Sequence, residues 1–179
     1  MLEQIPGYVI GLARADGVAE LLGIDVAAGA IFPEEDLPAH MRDRGLPLSF
    51  FETAAREGRL FVARQEALEW PVGFAVSMHV DGTSHLYELA VLPDHGRKGL
   101  GRALVEAVVE QSRERGDTSV TLTTFRHLAW NAPFYMKLGF EMLDAEILGP
   151  ELAHCLEAEV CRGLDPAKRV AMRLALKVV

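Results

Sequence analysis

The stretch that most constrains this chain is YELAVLPDHGRKGLGRALVEAVVEQ, residues 87–111. It reads as a strand, a proline that ends the strand's hydrogen bonding, a glycine-rich turn and then a helix. From Leu100 to Arg115 the residues Leu100, Ala103, Leu104, Ala107 and Val108 form one apolar face. Arg102, Glu106, Glu110, Arg113 and Glu114 lie opposite, so the turn feeds an amphipathic helix, closed by Gly116. Glycines let successive N–H groups point into one concavity, and a helix N-terminus adds about half a positive charge there. Arg97, Lys98 and Arg102 place mobile cations around the same turn. A diphosphate suits that combination, and so does a plain strand-to-helix turn with a solvated basic rim.

Two common phosphate motifs are excluded. A P-loop needs Gly-Lys-Ser/Thr, but Lys98 precedes Gly99 and Gly101 is followed by Arg102. A dinucleotide fingerprint needs a small residue three after Gly101, where this chain has Leu104.

The rest of the chain predicts an α/β fold around that element. Tyr8 to Ala13 reads as a first strand, and Asp16 caps a helix with Val18, Leu21, Leu22, Val26 and Ile31 at near-helical spacing, ended by PEEDLP. Ser49 reads as the N-cap of a second helix, Phe50 to Glu57, stopped by Gly58, after which RLFVARQ has strand composition. Two helices therefore precede the sheet. VGFAVSMHV and SHLYELAVL form a hairpin across Asp81-Gly82, a dipeptide that accepts positive φ. After the amphipathic helix come the strand SVTLTTF, a short helix capped by Asn131 and stopped by Gly139, and a strand from Phe140. Pro150 opens a helix with Leu152, Cys155, Leu156 and Val160 on one side, and RVAMRLALK closes the chain as a strand with Val170, Met172, Leu174 and Leu176 inward. The sum is a mixed sheet flanked by helices, and no linker or repeat divides residues 1–179, so one domain is expected.

Bulk properties narrow the function. The start, MLEQIPGYVIGLARADG, lacks a basic region followed by a long apolar run, which predicts a cytoplasmic protein without a membrane partner. A net charge of −8 disfavours nucleic acid, which demands a basic face, and suits a cationic substrate. Six scattered histidines offer no pair at ligand spacing, so no metal is expected. Cys155 and Cys161 match neither a zinc knuckle nor a redox pair and are read as reduced thiols. The oligomeric state is open, a homodimer being one option.

The glycine-rich turn resembles the Arg/Gln-x-x-Gly-x-Gly/Ala signature of the GNAT superfamily of acyl-CoA-dependent N-acyltransferases, with Gly99, Leu100 and Gly101 matching. Gly96 stands where that pattern has Arg or Gln, with Arg97 immediately after, so the usual side-chain contribution to the diphosphate is replaced or shifted. Further on, WNAPFYMKLGF resembles the Asn and Phe-Tyr-x-x-Leu-Gly-Phe elements of the same superfamily. The resemblance spans at least Val72 to Phe140. It implies a mostly antiparallel central sheet with helices on both faces, acetyl-CoA as donor, and direct transfer to an amine.

It also implies roles. The backbone and side chains of Gly96, Arg97, Lys98, Gly99, Leu100, Gly101 and Arg102 would hold the diphosphate. Leu89, Ala90 and Val91 would be partly unpaired by a splay between strands, so that pantetheine adds as a strand and one freed N–H holds the oxyanion, a contact worth about 3 kcal/mol in acyl transfer. Asn131 is either a helix N-cap or a pantetheine contact. Tyr135 would protonate the departing thiolate, since a phenol with pKa near 10 stays protonated at neutral pH; the plain alternative is a core aromatic. Glu88 is the candidate base for an ammonium that is about one part in two thousand neutral at pH 7, and the alternative is a solvated or paired strand carboxylate. His85, Tyr87 and His127 are lesser candidates. Neither cysteine falls in a matched motif, which disfavours an acyl-enzyme. The expected acceptor is the primary amine of a small metabolite. The alternatives are a non-catalytic acyl-CoA-binding domain and an acetyltransferase for protein N-termini, lysines or charged tRNA. The acceptor pocket is expected from Ala28 to His40, the Phe125 to Trp130 loop and the helix after Pro150.

Overall fold

The computed structural model describes residues 5–14, 17–67 and 69–177, and these group into two compact units: the described residues up to 77 with 88–110, and residues 78–87 with the described residues from 111 onward. The first unit contains β1 (Tyr8–Leu12), α1 (Leu21–Gly29), α2 (Ala39–Arg42), α3 (Leu48–Arg56), β2 (Leu60–Gln65) and most of β3 (Trp70–Val80). The end of β4 (Thr83–Val91) and most of α4 (Leu100–Arg115) complete it. The second unit contains the β3–β4 turn, β5 (Ser119–Phe125), α5 (Ala132–Lys137), β6 (Glu141–Met142), α6 (Pro150–Cys161) and β7 (Arg169–Ala175).

Strands run β1-β2-β3-β4 in the first unit and β4-β5-β7-β6 in the second. The β1/β2, β2/β3, β5/β7 and β6/β7 registers are antiparallel and β4/β5 is parallel, so the sheet is mixed and mostly antiparallel, as expected. The β3–β4 hairpin closes as its dipeptide predicts, with φ of 50° at Asp81 and 72° at Gly82, the two positive values of a type I′ turn.

In the first unit Leu21, Phe51, Leu60 and Phe74 are fully buried, with Phe51 meeting Phe74 edge-on at 5.0 Å between ring centres. Burial of each such side chain stabilises the fold by about 1.5–3 kcal/mol. In the second unit Val80, Leu152 and Ala171 form a small core under α6, joined by Cys155 and Leu156. The α6 N-terminus is capped at long range. Gly149, at the N-cap position, has no side chain, and the Asp81 carboxylate accepts from Glu151 N at 3.0 Å and Leu152 N at 2.9 Å instead. Asp81 N donates in return to the Glu151 carboxylate. This is a capping box whose two halves are separated in sequence.

Several local expectations are corrected. Three helices, not two, lie between β1 and the rest of the sheet, because Pro38, held extended at ψ 144°, starts the short α2. α1 begins at Leu21, and its buried face is Leu21 with Ile24; Val26 and Ile31 are exposed. Asp16, the expected cap, lies outside the described residues. α3 starts one residue before Ser49, with Pro47 at the N-cap, so Ser49 caps nothing. Val160 is exposed on α6, whereas Leu152 is buried. Among the described residues no helix is long and apolar enough to cross a membrane, and no cluster of His, Cys, Asp or Glu is arranged to hold a metal.

Candidate active site

In the first unit, β4 delivers the chain to Leu92, whose N–H donates to Val72 O at 2.8 Å. Pro93 to His95 then make one tight 3₁₀ turn, closed by Gly96 N donating to Pro93 O at 3.0 Å. This turn accounts for Gly96 at the position where the family pattern has Arg or Gln: a Cβ there would lie 3.0 Å from Pro93 O, tighter than most real contacts. Arg97 follows at φ 57° and Gly99 at φ 88°, the left-handed region that only glycine adopts without cost. Such alternation of backbone handedness turns consecutive N–H groups to one side, the geometry of an anion nest.

α4 completes the concavity. Its Leu100 and Gly101 N–H groups precede the helical ladder, and Ala103 N donates to Gly99 O at 3.0 Å. Leu100, Ala103, Leu104, Ala107 and Val108 are all buried, as the periodicity predicts, which holds this N-terminus rigidly in place. Arg97, Lys98 and Gly99 are exposed, and Arg102 pairs with Glu106 at 2.8 Å. The arrangement can receive a multiply charged anion through backbone amides and surrounding cations.

A feature of this turn has no local sequence signal. Tyr8 of β1 places its hydroxyl 2.9 Å from His95 Nδ1 and 3.2 Å from Lys98 Nζ. On β4, Glu88, Leu89 and Val91 are half-buried and Ala90 is buried. The parallel register of β4 with β5 consists of Ser84↔Val120, His85↔Thr121 and Leu86↔Leu122, while β4 itself continues to Val91.

The second unit holds the other sequence-selected residues. Asn131 occupies the N-cap position of α5, but its side chain makes no capping bond, which corrects the expected cap. Its backbone carbonyl accepts from Phe134 N at 2.9 Å and Tyr135 N at 3.1 Å. The side-chain oxygen Oδ1 is buried without a hydrogen-bond partner. Tyr135 is 7% exposed, with its ring edge-on to Phe140 at 5.7 Å.

His85 is 2% exposed and its Nδ1 lies 2.9 Å from Thr121 Oγ1. Burial pushes its pKa down to about 4, against the opposing pull of the Glu159 carboxylate, so the imidazole is neutral at pH 7. Glu159 of α6 accepts two bonds from Arg169 at 2.8 Å and one from Thr123 at 2.6 Å, and Arg169 stacks on Phe125 at 4.4 Å. This fully satisfied ion pair fastens α6 to β5 and β7. Arg162 hydrogen-bonds Tyr87, which holds its pKa above the ordinary value. Burial raises the Cys155 thiol, and Cys161 is exposed; both are free.

The sequence profile of the acetyltransferase (GNAT) family matches residues 24–140. A ribosomal protein bS18 alanine N-acetyltransferase of Escherichia coli K12 is 32% identical over 110 residues, 59% of this chain and 74% of that protein. The solved ribosomal-protein-S18-alanine N-acetyltransferase from Escherichia coli superposes with a TM-score of 0.67 at 20% identity, covering 96% of each chain. Rv2747 from Mycobacterium tuberculosis, solved with CoA and NLQ, superposes with a TM-score of 0.67 at 18% identity over 94% of this chain and 99% of that one. At these identities the superpositions establish the fold. The profile match extends over more than half of the sequence, and the chain belongs to the acetyltransferase (GNAT) family.

Proposed function

We propose that the chain is an N-acetyltransferase that binds acetyl-CoA by its diphosphate at Gly96 to Arg102 and passes the acetyl group directly to a primary amine. The observation that carries this reading is the turn itself: two left-handed residues that bring successive backbone N–H groups to one side, and the N-terminus of a buried amphipathic helix directly after them. Asn131 Oδ1 supports it, because a buried acceptor without a donor suits the amide N–H of a pantetheine arm.

The thioester supplies an activated acetyl group. Glu88 takes the proton from the attacking ammonium, directly or through water. A backbone N–H among Leu89, Ala90 and Val91 holds the oxyanion, and Tyr135 donates its phenolic proton to the departing sulfur. Amine and thioester become amide and thiol with no covalent enzyme intermediate, and the raised Cys155 thiol is a poor nucleophile for one.

The acceptor we favour is a small metabolite amine. α6, in the β6–β7 connection, is tied to β5 and β7 by Glu159, and a helix held fast in that way suits a compact acceptor. A second reading, an N-terminal peptide amine, is favoured by the relative that acetylates a ribosomal-protein alanine. Thiol release from acetyl-CoA with a panel of polyamines, amino acids, amino sugars and alanine-starting peptides tests both. Turnover with a small amine is expected; a peptide with the highest kcat/KM would establish the second reading, and no turnover with any amine would overturn the function.

A further inference from the structure

Tyr8 lies outside residues 24–140, the part of the chain the family profile covers, yet it is the residue that touches the glycine-rich turn at both ends. An ammonium can only donate, so the phenol oxygen accepts from Lys98, and the same hydroxyl hydrogen-bonds His95 Nδ1 in the direction that the imidazole tautomer sets. The ring contributes as well: His95 meets it edge-on at 5.7 Å, and Lys98 Nζ stands 5.8 Å from its centre. β1 is a firm base for these contacts, since Tyr8 pairs with Gln65 of β2 in an antiparallel register.

We propose that Tyr8 is a positioning residue for the cofactor's diphosphate: its hydroxyl staples His95 to Lys98 and so fixes the amides between and after them. The staple spans Arg97, a non-glycine residue at φ 57°, a conformation that relaxes unless its surroundings hold it. It also restrains Lys98, whose long side chain would otherwise lose its rotamer freedom only when the anion arrives. The turn is therefore preorganised, and the missing side chain at Gly96 is offset by a residue from another strand. The inference rests on the acetyl-CoA reading given above.

Tyr8→Phe keeps the ring and removes the staple. The expected result is a Kd for CoA, by calorimetry, about fivefold weaker, the loss of one hydrogen bond. The KM for acetyl-CoA rises by the same factor while kcat stays within about twofold. Because Tyr8 acts through Lys98, the losses in Tyr8→Phe and Lys98→Met combine to well below their product in the double variant. His95→Gln opens the staple from its other end, giving the same KM increase should Tyr8→Phe fold poorly. Wild-type and Tyr8→Phe proteins that bind CoA equally, or losses that multiply, would overturn the proposal and leave the cofactor site standing. A wild-type protein that gives no heat with CoA would overturn both.

Discussion

Replacing Asn131 with alanine separates the two uses open to that side chain, because they predict changes of opposite sign. A side chain that caps α5 stabilises the fold by about 1 kcal/mol, and truncating it lowers the melting temperature. Here Oδ1 is buried without a donor and forms no capping bond. A buried unpaired carbonyl carries a desolvation penalty of about 1–3 kcal/mol. Truncation removes that penalty and leaves a small void costing about 1 kcal/mol. The ligand-free variant should therefore gain about 1 kcal/mol, or about 2–4 °C in Tm for a chain of this size. With saturating CoA the gain disappears: on the proposed pantetheine role the variant has lost an acceptor, affinity falls about fivefold, or about 1 kcal/mol, and the two proteins should melt together. Scanning calorimetry without ligand and with saturating CoA reads both effects. A lower Tm without ligand together with unchanged CoA affinity would refute this reasoning and restore the cap.

Tyr135→Phe should lower kcat by about a hundredfold or more while CoA affinity, by calorimetry, stays near wild type, because only the proton for the sulfur is removed. No loss of either would mean that the ring merely packs. His85 gives a pH signature. Its pKa is pushed from 6.5 down to about 4, so between those values the unfolded chain binds a proton that the folded chain does not. Stability is then complete above about pH 7 and falls by about 3 kcal/mol as pH drops from about 6.5 to 4. In His85→Gln, urea midpoints should lose that part of the slope. Asp25, which burial raises above its ordinary value, contributes with the opposite sign in both proteins and cancels in the comparison. Identical slopes would show that His85 titrates normally.

Whatever depends on neighbours in sequence was legible before the structure. The strand, turn and helix from Tyr87 to Arg115, the Asp81-Gly82 hairpin and the bounds of β5 follow from periodicity and turn chemistry, which are local. Ser49 does not cap α3 because Pro47, with its fixed φ, takes the N-cap position two residues earlier. The face of α1 was misread because Val26 and Ile31 satisfy helical spacing yet meet no neighbour that covers them. What remained hidden is long-range: Tyr8 on the turn, Asp81 on α6, and Glu159 between Thr123 and Arg169. None of these pairs leaves a pattern in a single sequence, because each depends on how strands are ordered in the sheet. Gly96, a departure from the family pattern, has its explanation in Pro93 O, which lies 3.0 Å from where a Cβ would stand.

Amide NMR of ¹⁵N-labelled protein during a CoA titration tests the phosphate cradle most directly. The N–H resonances from Arg97 to Arg102 should move downfield and saturate with the same Kd that calorimetry gives. Resonances that stay in place while CoA binds would put the diphosphate elsewhere and contradict the account.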